Sequence, residues 1–150
     1  MLIYYLRDFV ACFGASAFYC VIMSLPKKAM WISSLSSAMT YIVYRFTFLN
    51  IDSEYMGYFA ASCFAAISAE LLARACKMPA TIFIFPSVIP LVPGIGLYRT
   101  MLCLGQNDMT GFASEGTKAL IISGIIAVTV AVVNAMFRSL LKRKPIPQKE

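Results

Sequence analysis

No histidine occurs anywhere in the 150 residues. That excludes imidazole bases, histidine proton relays and most zinc sites in one step. Charge is scarce too: 13% of the residues are Asp, Glu, Lys or Arg, and only 7 are acidic. The five cysteines (Cys12, Cys20, Cys63, Cys76, Cys103) form no Cys-x-x-Cys pair and lie within or beside apolar blocks. They read as small apolar filler rather than as metal ligands or a redox pair. The sequence offers no nucleophile–base pair, no cofactor loop and no metal-ligand cluster, so it reads as neither an enzyme nor a cofactor or metal binder.

What is abundant is apolar. The chain is 60% hydrophobic, with a mean hydropathy of +0.76. The apolar residues come in long blocks, which implies an all-α integral membrane protein forming a single transmembrane domain over residues 1–150. Five blocks are long enough to cross a hydrocarbon core: 9–25, 29–49, 55–73, 80–104 and 119–137. The second is the weakest, because it holds Ser33, Ser34, Ser36, Ser37 and Thr40, with Arg45 near its end. The first lies between Arg7-Asp8 and Leu25-Pro26-Lys27-Lys28 and has no small-residue cleavage site, so it reads as a span and not as a signal peptide.

The charge distribution selects five spans with the N-terminus outside and the C-terminus cytoplasmic. The inner side then receives Lys27, Lys28, Arg74, Lys77, Arg138, Lys142, Arg143, Lys144 and Lys149 out of 13 basic residues. The outer side receives Arg7, Arg45, Arg99 and Lys118, together with Asp8, Asp52, Glu54, Asp108 and Glu115. Every loop obeys the positive-inside bias. The basic tail 138–150 reads as a cytoplasmic anchor on anionic lipid and not as a nucleic-acid site.

The fourth block breaks the helical pattern. "VIPLVPGIGLY", residues 88–98, places two prolines and two glycines inside an apolar run. Pro86, Pro90 and Pro93 each remove one backbone donor, which frees the carbonyls of Ile82, Pro86 and Ile89. Such groups cannot face lipid without a penalty of several kcal/mol each, so that face must look into protein or a wet cavity. Pro93-Gly94 suggests a turn in which proline presets one φ and glycine allows a positive one. The fourth span is therefore expected as two half-helices, the second directing its N-terminal N–H groups at the break. Discontinuous helices of this kind hold substrate and ions at mid-depth in secondary transporters, although a kink that merely shapes packing is the plainer reading.

Pro90, Pro93, Gly94, Gly96, Tyr98 and Arg99 form the candidate substrate site. Arg99 suits a carboxylate by bidentate bonding, or else it snorkels to the outer interface. Glu70 and Arg74 stand four apart, in the order that favours an intrahelical ion pair, and a desolvated Glu70 offers proton coupling as the alternative. Asn134 reads as a clamp between helices or as a cavity group. Ala61, Ala65, Ala69 and Ala73 form a small-residue stripe, as do Ala127, Ala131 and Ala135, which suits close helix packing. Ser33, Ser37, Thr40 and Tyr44 form a polar stripe that needs protein or water, and so suits a cavity wall or a partner.

The run "AELLARACKMPATIFIFPSVIPLVPGIGLYRTM", residues 69–101, resembles the C-terminal half of the threonine/serine exporter family. The matching features are Glu70–Arg74, Lys77 with Pro79, the Pro90–Gly94 core and Tyr98; "SLPKKAMW", residues 24–31, resembles the family's first inner loop. The chain is most similar to the small subunit of split, two-component versions. The resemblance implies a subunit of a secondary exporter in the bacterial inner membrane, with a larger five-span partner. It implies no cofactor, and a small carboxylate-bearing substrate that is either a threonine/serine-type amino acid or a succinate-type dicarboxylate. The alternative from another class is a non-transporting membrane protein that stabilises or regulates a partner.

The topology is testable with single cysteines at Asp52, Asp108 and Gln148 in a background lacking the native five. An impermeant reagent applied to intact cells is expected to label the first two and spare the third. The reverse pattern would falsify the five-span arrangement.

Overall fold

The computed structural model describes residues 2–140. Met1 and residues 141–150, which include most of the basic tail, lie outside the described residues. The described chain is helical, with six α-helices: α1 (Leu2–Ile22), α2 (Lys27–Ile51), α3 (Glu54–Cys76), α4 (Thr81–Val88), α5 (Gly94–Gly105) and α6 (Met109–Leu140). A single 3₁₀ turn, Ile89–Leu91, follows α4.

The ends of these helices follow local chemistry. Ser24, Asp52, Lys77 and Asn107 adopt left-handed φ angles of 52–58°. After α1, α3 and α5 the returning chain bonds back, from Leu25 to Cys20, from Met78 to Ala73 and from Asp108 to Cys103. This is the pattern that satisfies the last carbonyls of a helix. Asp108 caps α6, where its Oδ1 accepts the Gly111 N–H at 3.0 Å. Capped in this way, α6 begins ten residues before the apolar block at 119, so 109–118 is helix rather than outer loop. Glu115 and Lys118 pair along it at 3.8 Å.

By length and apolarity, Glu54–Cys76 and Met109–Ser139 are suited to crossing a membrane. The bent pair Thr81–Leu91 and Gly94–Gly105 makes a third candidate, with 55° between its arms. Helices α1 and α2 occupy the stretches where the sequence reading puts the first two spans. The hydroxyl residues of α2 lower its hydropathy.

Those hydroxyls turn inward. Ser33, Ser34, Ser37 and Thr40 are fully buried. Ser34 and Thr40 bond the carbonyls four residues back, at 2.8 and 2.9 Å. Ser36 joins three helices, since its Oγ lies 3.0 Å from Ser68 Oγ on α3 and accepts from Ser87 Oγ on α4 at 3.1 Å. Ser33 Oγ, Ser37 Oγ and Asn134 Oδ1 are buried without a hydrogen-bond partner among the described residues.

The alanine stripe of α3 (Ala61, Ala65, Ala69, Ala73) is buried. It lets α2, α4 and α6 approach α3 closely. The stripe of α6 behaves differently: Ala127, Ala131 and Ala135 are exposed. The buried face of that helix is Ala119, Ile122, Ile126, Thr129 and Val133. Ile122 and Ile126 pack with Ala61 and Leu91.

Helix α4 is wrapped by α1, α2 and α3, whereas α5 packs on α6. The two arms of the broken segment therefore belong to different neighbourhoods. Of the carbonyls freed by proline, Pro86 O accepts the hydroxyl of Ser16 on α1 at 3.3 Å, and Ile89 O accepts the Val92 N–H at 3.2 Å. The first bond is a tertiary one, made by a fully buried side chain. Ser16→Ala leaves that carbonyl without its donor, at a cost of about 1–3 kcal/mol. A lowered melting temperature of the purified protein in detergent is expected, and an unchanged one would show that the bond contributes nothing.

Candidate functional site

At the break, Val92 is extended and Pro93 has φ −75° and ψ 59°. Those angles belong to an inverse γ-turn. Accordingly, the Gly94 N–H donates to Val92 O at 2.7 Å across Pro93. This corrects the sequence expectation for Gly94. No described glycine has a positive φ, because the three-residue turn is completed by proline alone and Gly94 already stands in the first turn of α5. A side chain added at Gly94 meets nothing within 4 Å. Neither conformation nor crowding requires glycine at that position within this chain.

A cavity of about 420 Å³ opens at this turn. From the broken segment, Pro90, Val92, Pro93, Gly94, Ile95, Gly96 and Arg99 line it. Five of the six sequence-predicted substrate residues thus share one wall. Tyr98 does not: its side chain points away and is 67% exposed. The Leu97 N–H takes Pro93 O at 3.0 Å. The N–H groups of Ile95 and Gly96 find no acceptor among the described residues, so two backbone donors and the positive end of α5 serve the cavity.

Of the facing walls, the sequence reading picked out only Tyr44, as part of the polar stripe of the second span. Tyr41 and Tyr44 come from α2, Glu54 and Tyr58 from α3, and Glu115, Lys118, Ala119 and Ile122 from α6. Gly57 sets the tyrosines: a Cβ there would stand 3.1 Å from the Tyr44 ring. The absent side chain lets that ring settle 4.7 Å from the ring of Tyr58. The available signals were the Tyr41–Tyr44 spacing, continuing the serine stripe, and the Glu115–Lys118 spacing at the start of α6. Hydropathy alone assigned the latter pair to a loop.

The cavity carries both signs of charge. Glu54 and Glu115 supply carboxylates; Lys118 is loosely held by Glu115. Arg99 has neither a hydrogen bond nor an ion pair among the described residues, so its guanidinium is available to a ligand. A small molecule carrying a carboxylate, with or without an ammonium group, matches this set.

Glu70 and Arg74 lie elsewhere. They meet at 3.5 Å, and the guanidinium of Arg74 sits 5.1 Å from the centre of the Phe137 ring. Twelve residues along α3 separate Glu70 from the cavity-lining Tyr58, which is about 18 Å. The pair ties α3 to α6 at the far end of the molecule from the cavity. Asn134 does not line the cavity either.

Residues 8–136 match the family model described as Threonine/Serine exporter, ThrE. No curated protein and no solved structure matches the chain. Gly94 gives the sharpest local test of the cavity. Gly94→Leu enters open space, so the melting temperature in detergent is expected to hold while ligand-dependent stabilisation disappears. Gly57→Leu, by contrast, is expected to lower the melting temperature by displacing Tyr44. A destabilised Gly94→Leu protein would show that the fold itself needs the glycine.

Proposed function

The chain belongs to the threonine/serine exporter family, and on that premise we propose that it is one membrane subunit of a two-component secondary exporter. Its substrate is a small metabolite bearing a carboxylate, bound at the break between α4 and α5. Arg99 and the free N–H groups of Ile95 and Gly96 take the carboxylate. Gly94 and Gly96 present no side chain to it, and Pro90 and Pro93 line the same wall. Glu54 and Glu115 face an ammonium group, which favours the threonine/serine-type amino acid. A succinate-type dicarboxylate instead needs Lys118 to leave Glu115 and take the second carboxylate.

The observation that carries this reading is the unpaired Arg99 in a cavity that also contains an N-terminal helix end. Five spans, outside N-terminus and cytoplasmic tail accompany it, with α1 and α2 as the first two spans and the broken pair as the fourth. The partner is a larger, five-span member of the same family. Two features support a partner. The cavity is walled by single faces of α2, α3, α5 and α6, and the alanine stripe of α6 is exposed, a surface suited to close packing in a membrane.

Liposomes containing this chain, the partner, or both are expected to move threonine, serine or succinate only when both are present. Arg99→Gln should then weaken transport by on the order of ten- to a hundredfold, with insertion unchanged. Full transport by this chain alone would remove the two-component reading. Normal transport by Arg99→Gln would assign the arginine to the outer interface. Transport that never depends on this chain would leave it a stabilising or regulatory subunit.

A further inference from the structure

The hydroxyl stripe of α2 runs inward from the substrate cavity. Ser33, Ser37, Thr40 and Tyr44 recur at intervals of four, three and four and so share one face. Tyr44, with Tyr41 beside it, is cavity wall. Ser33 stands about 16 Å from Tyr44 along the helix axis. Under the five-span orientation that direction leads to the cytoplasm, where α2 begins at Lys27. The cavity is lined by Glu54, Glu115 and Lys118, all outer residues in that orientation, and so opens outward.

Helix α4 covers the inner part of the bundle beside this stripe. It packs on α2, and its Ser87 Oγ donates to Ser36 Oγ at 3.1 Å. The carbonyl of its Pro86 accepts the Ser16 hydroxyl of α1 at 3.3 Å. Phe83, one turn nearer the start of α4, is fully buried among Ala29, Ala69 and Ala73 and plugs the inner end. The exposed face of α2 is Trp31, Leu35 and Met39. Ser33 and Ser37 lie opposite that face, at the middle of the bundle, and have no exposure at all. Thr40 bonds the Ser36 carbonyl. Ser33 Oγ and Ser37 Oγ have no hydrogen-bond partner among the described residues.

We infer that this stripe is the inner half of the substrate path, shut in this conformation by α4. The inference rests on the exporter reading above. A hydroxyl taken out of water and given no partner is costly. A contact built to stay shut needs no such groups, and the buried Ala61, Ala65, Ala69 and Ala73 of α3 show the apolar alternative. Two orphan hydroxyls destabilise the shut state and regain partners when water or substrate enters, so they ease opening. The bonds that hold α4 to α1 and α2 are neutral hydroxyl bonds, which water can replace. The α4 arm is also free to move by itself, because α5 packs on α6 and the 55° bend lies between the two arms. Tilting α4 about the break withdraws Phe83 and uncovers Ser33 and then Ser37 from the cytoplasmic side, which is movement of one element about a fixed midplane site. An exported carboxylate then reaches Arg99 along a row of hydroxyl donors and leaves through the cavity that is open here.

The first test reads water access along the stripe. Ser33→Cys and Ser37→Cys are made singly in a full chain lacking the native five cysteines and expressed with the partner in inside-out membrane vesicles. Ala66→Cys, at a fully buried position of α3, is the control. An impermeant methanethiosulfonate applied to the cytoplasmic face is expected to modify positions 33 and 37 and to spare position 66. Silence at position 37, or equal reaction at position 66, overturns the proposal. Silence at position 37 in vesicles that still transport removes the path and leaves the exporter reading standing.

The second test removes the orphan hydroxyls. Ser33→Ala and Ser37→Ala relieve the shut state of its penalty and so make opening rarer. Each is expected to slow transport by the chain and its partner in liposomes by on the order of tenfold. The melting temperature in detergent is expected to hold or rise, and ligand-dependent stabilisation to persist, because the cavity keeps its lining. Serines that merely support the fold would lower the melting temperature and transport together. That joint fall, or transport at the unmodified rate in both variants, overturns the proposal. The comparison is with the unmodified pair, so either result bears on the path and not on the exporter reading.

Discussion

A carbonyl that loses its helical donor in apolar surroundings must find another, and the arrangement of this molecule follows from that constraint. Prolines at 86, 90 and 93 interrupt the hydrogen-bond ladder of one segment. The segment stays stable because other parts of the chain come to it. Ser16 of α1 donates to the carbonyl of Pro86, and the 3₁₀ turn recovers that of Ile89. A break without these donors would cost several kcal/mol per group. With them, irregular backbone can sit inside a helical membrane protein and line a cavity.

Once the break is tolerated, its two arms separate. The α4 arm is enclosed by small and hydroxylated residues, with Ser87 bonded to Ser36 and Phe83 packed among Ala29, Ala69 and Ala73. Alanine and serine allow helices to approach closely, which suits a bundle that has no hydrophobic drive between helices surrounded by lipid. The α5 arm rests on α6, where a Cβ added at Gly96 would stand 3.5 Å from Ala119 and one added at Gly116 3.3 Å from Thr100. The 55° between the arms opens the space that Tyr41, Tyr44, Tyr58 and Glu54 close from the other side. The cavity is therefore a consequence of enclosing one arm among three helices and leaving the other against α6.

The same geometry divides the charges. Arg7 and Arg45 both reach Asp8, Arg74 has Glu70, and Lys118 has Glu115. Arg99 alone among the cavity residues carries an unmatched cation, beside free N–H groups at the start of α5. A membrane protein keeps such an arrangement only where water or a ligand can offset it, because an isolated charge facing hydrocarbon is costly.

Much of this was legible in the residues. Apolar block lengths specified helices, because a chain in lipid can satisfy its backbone in few other ways, and proline chemistry located the break to within a residue. The Pro-Leu-Val-Pro-Gly run pointed to the family that the match over 8–136 establishes. Five of the six residues expected at the substrate site line one cavity, since they are neighbours along the chain and their placement needs no long-range information. Tyr98 was indistinguishable from them because sequence proximity does not say which side of a half-helix faces inward. The opposite wall and the tertiary donor Ser16 depended on how α1, α2, α3 and α6 pack. Gly94 shows the same limit at the smallest scale. Its spacing after proline is compatible with more than one turn, and the hydrogen bond from its N–H to Val92 O, fixed by the packing of both arms, decided which one formed.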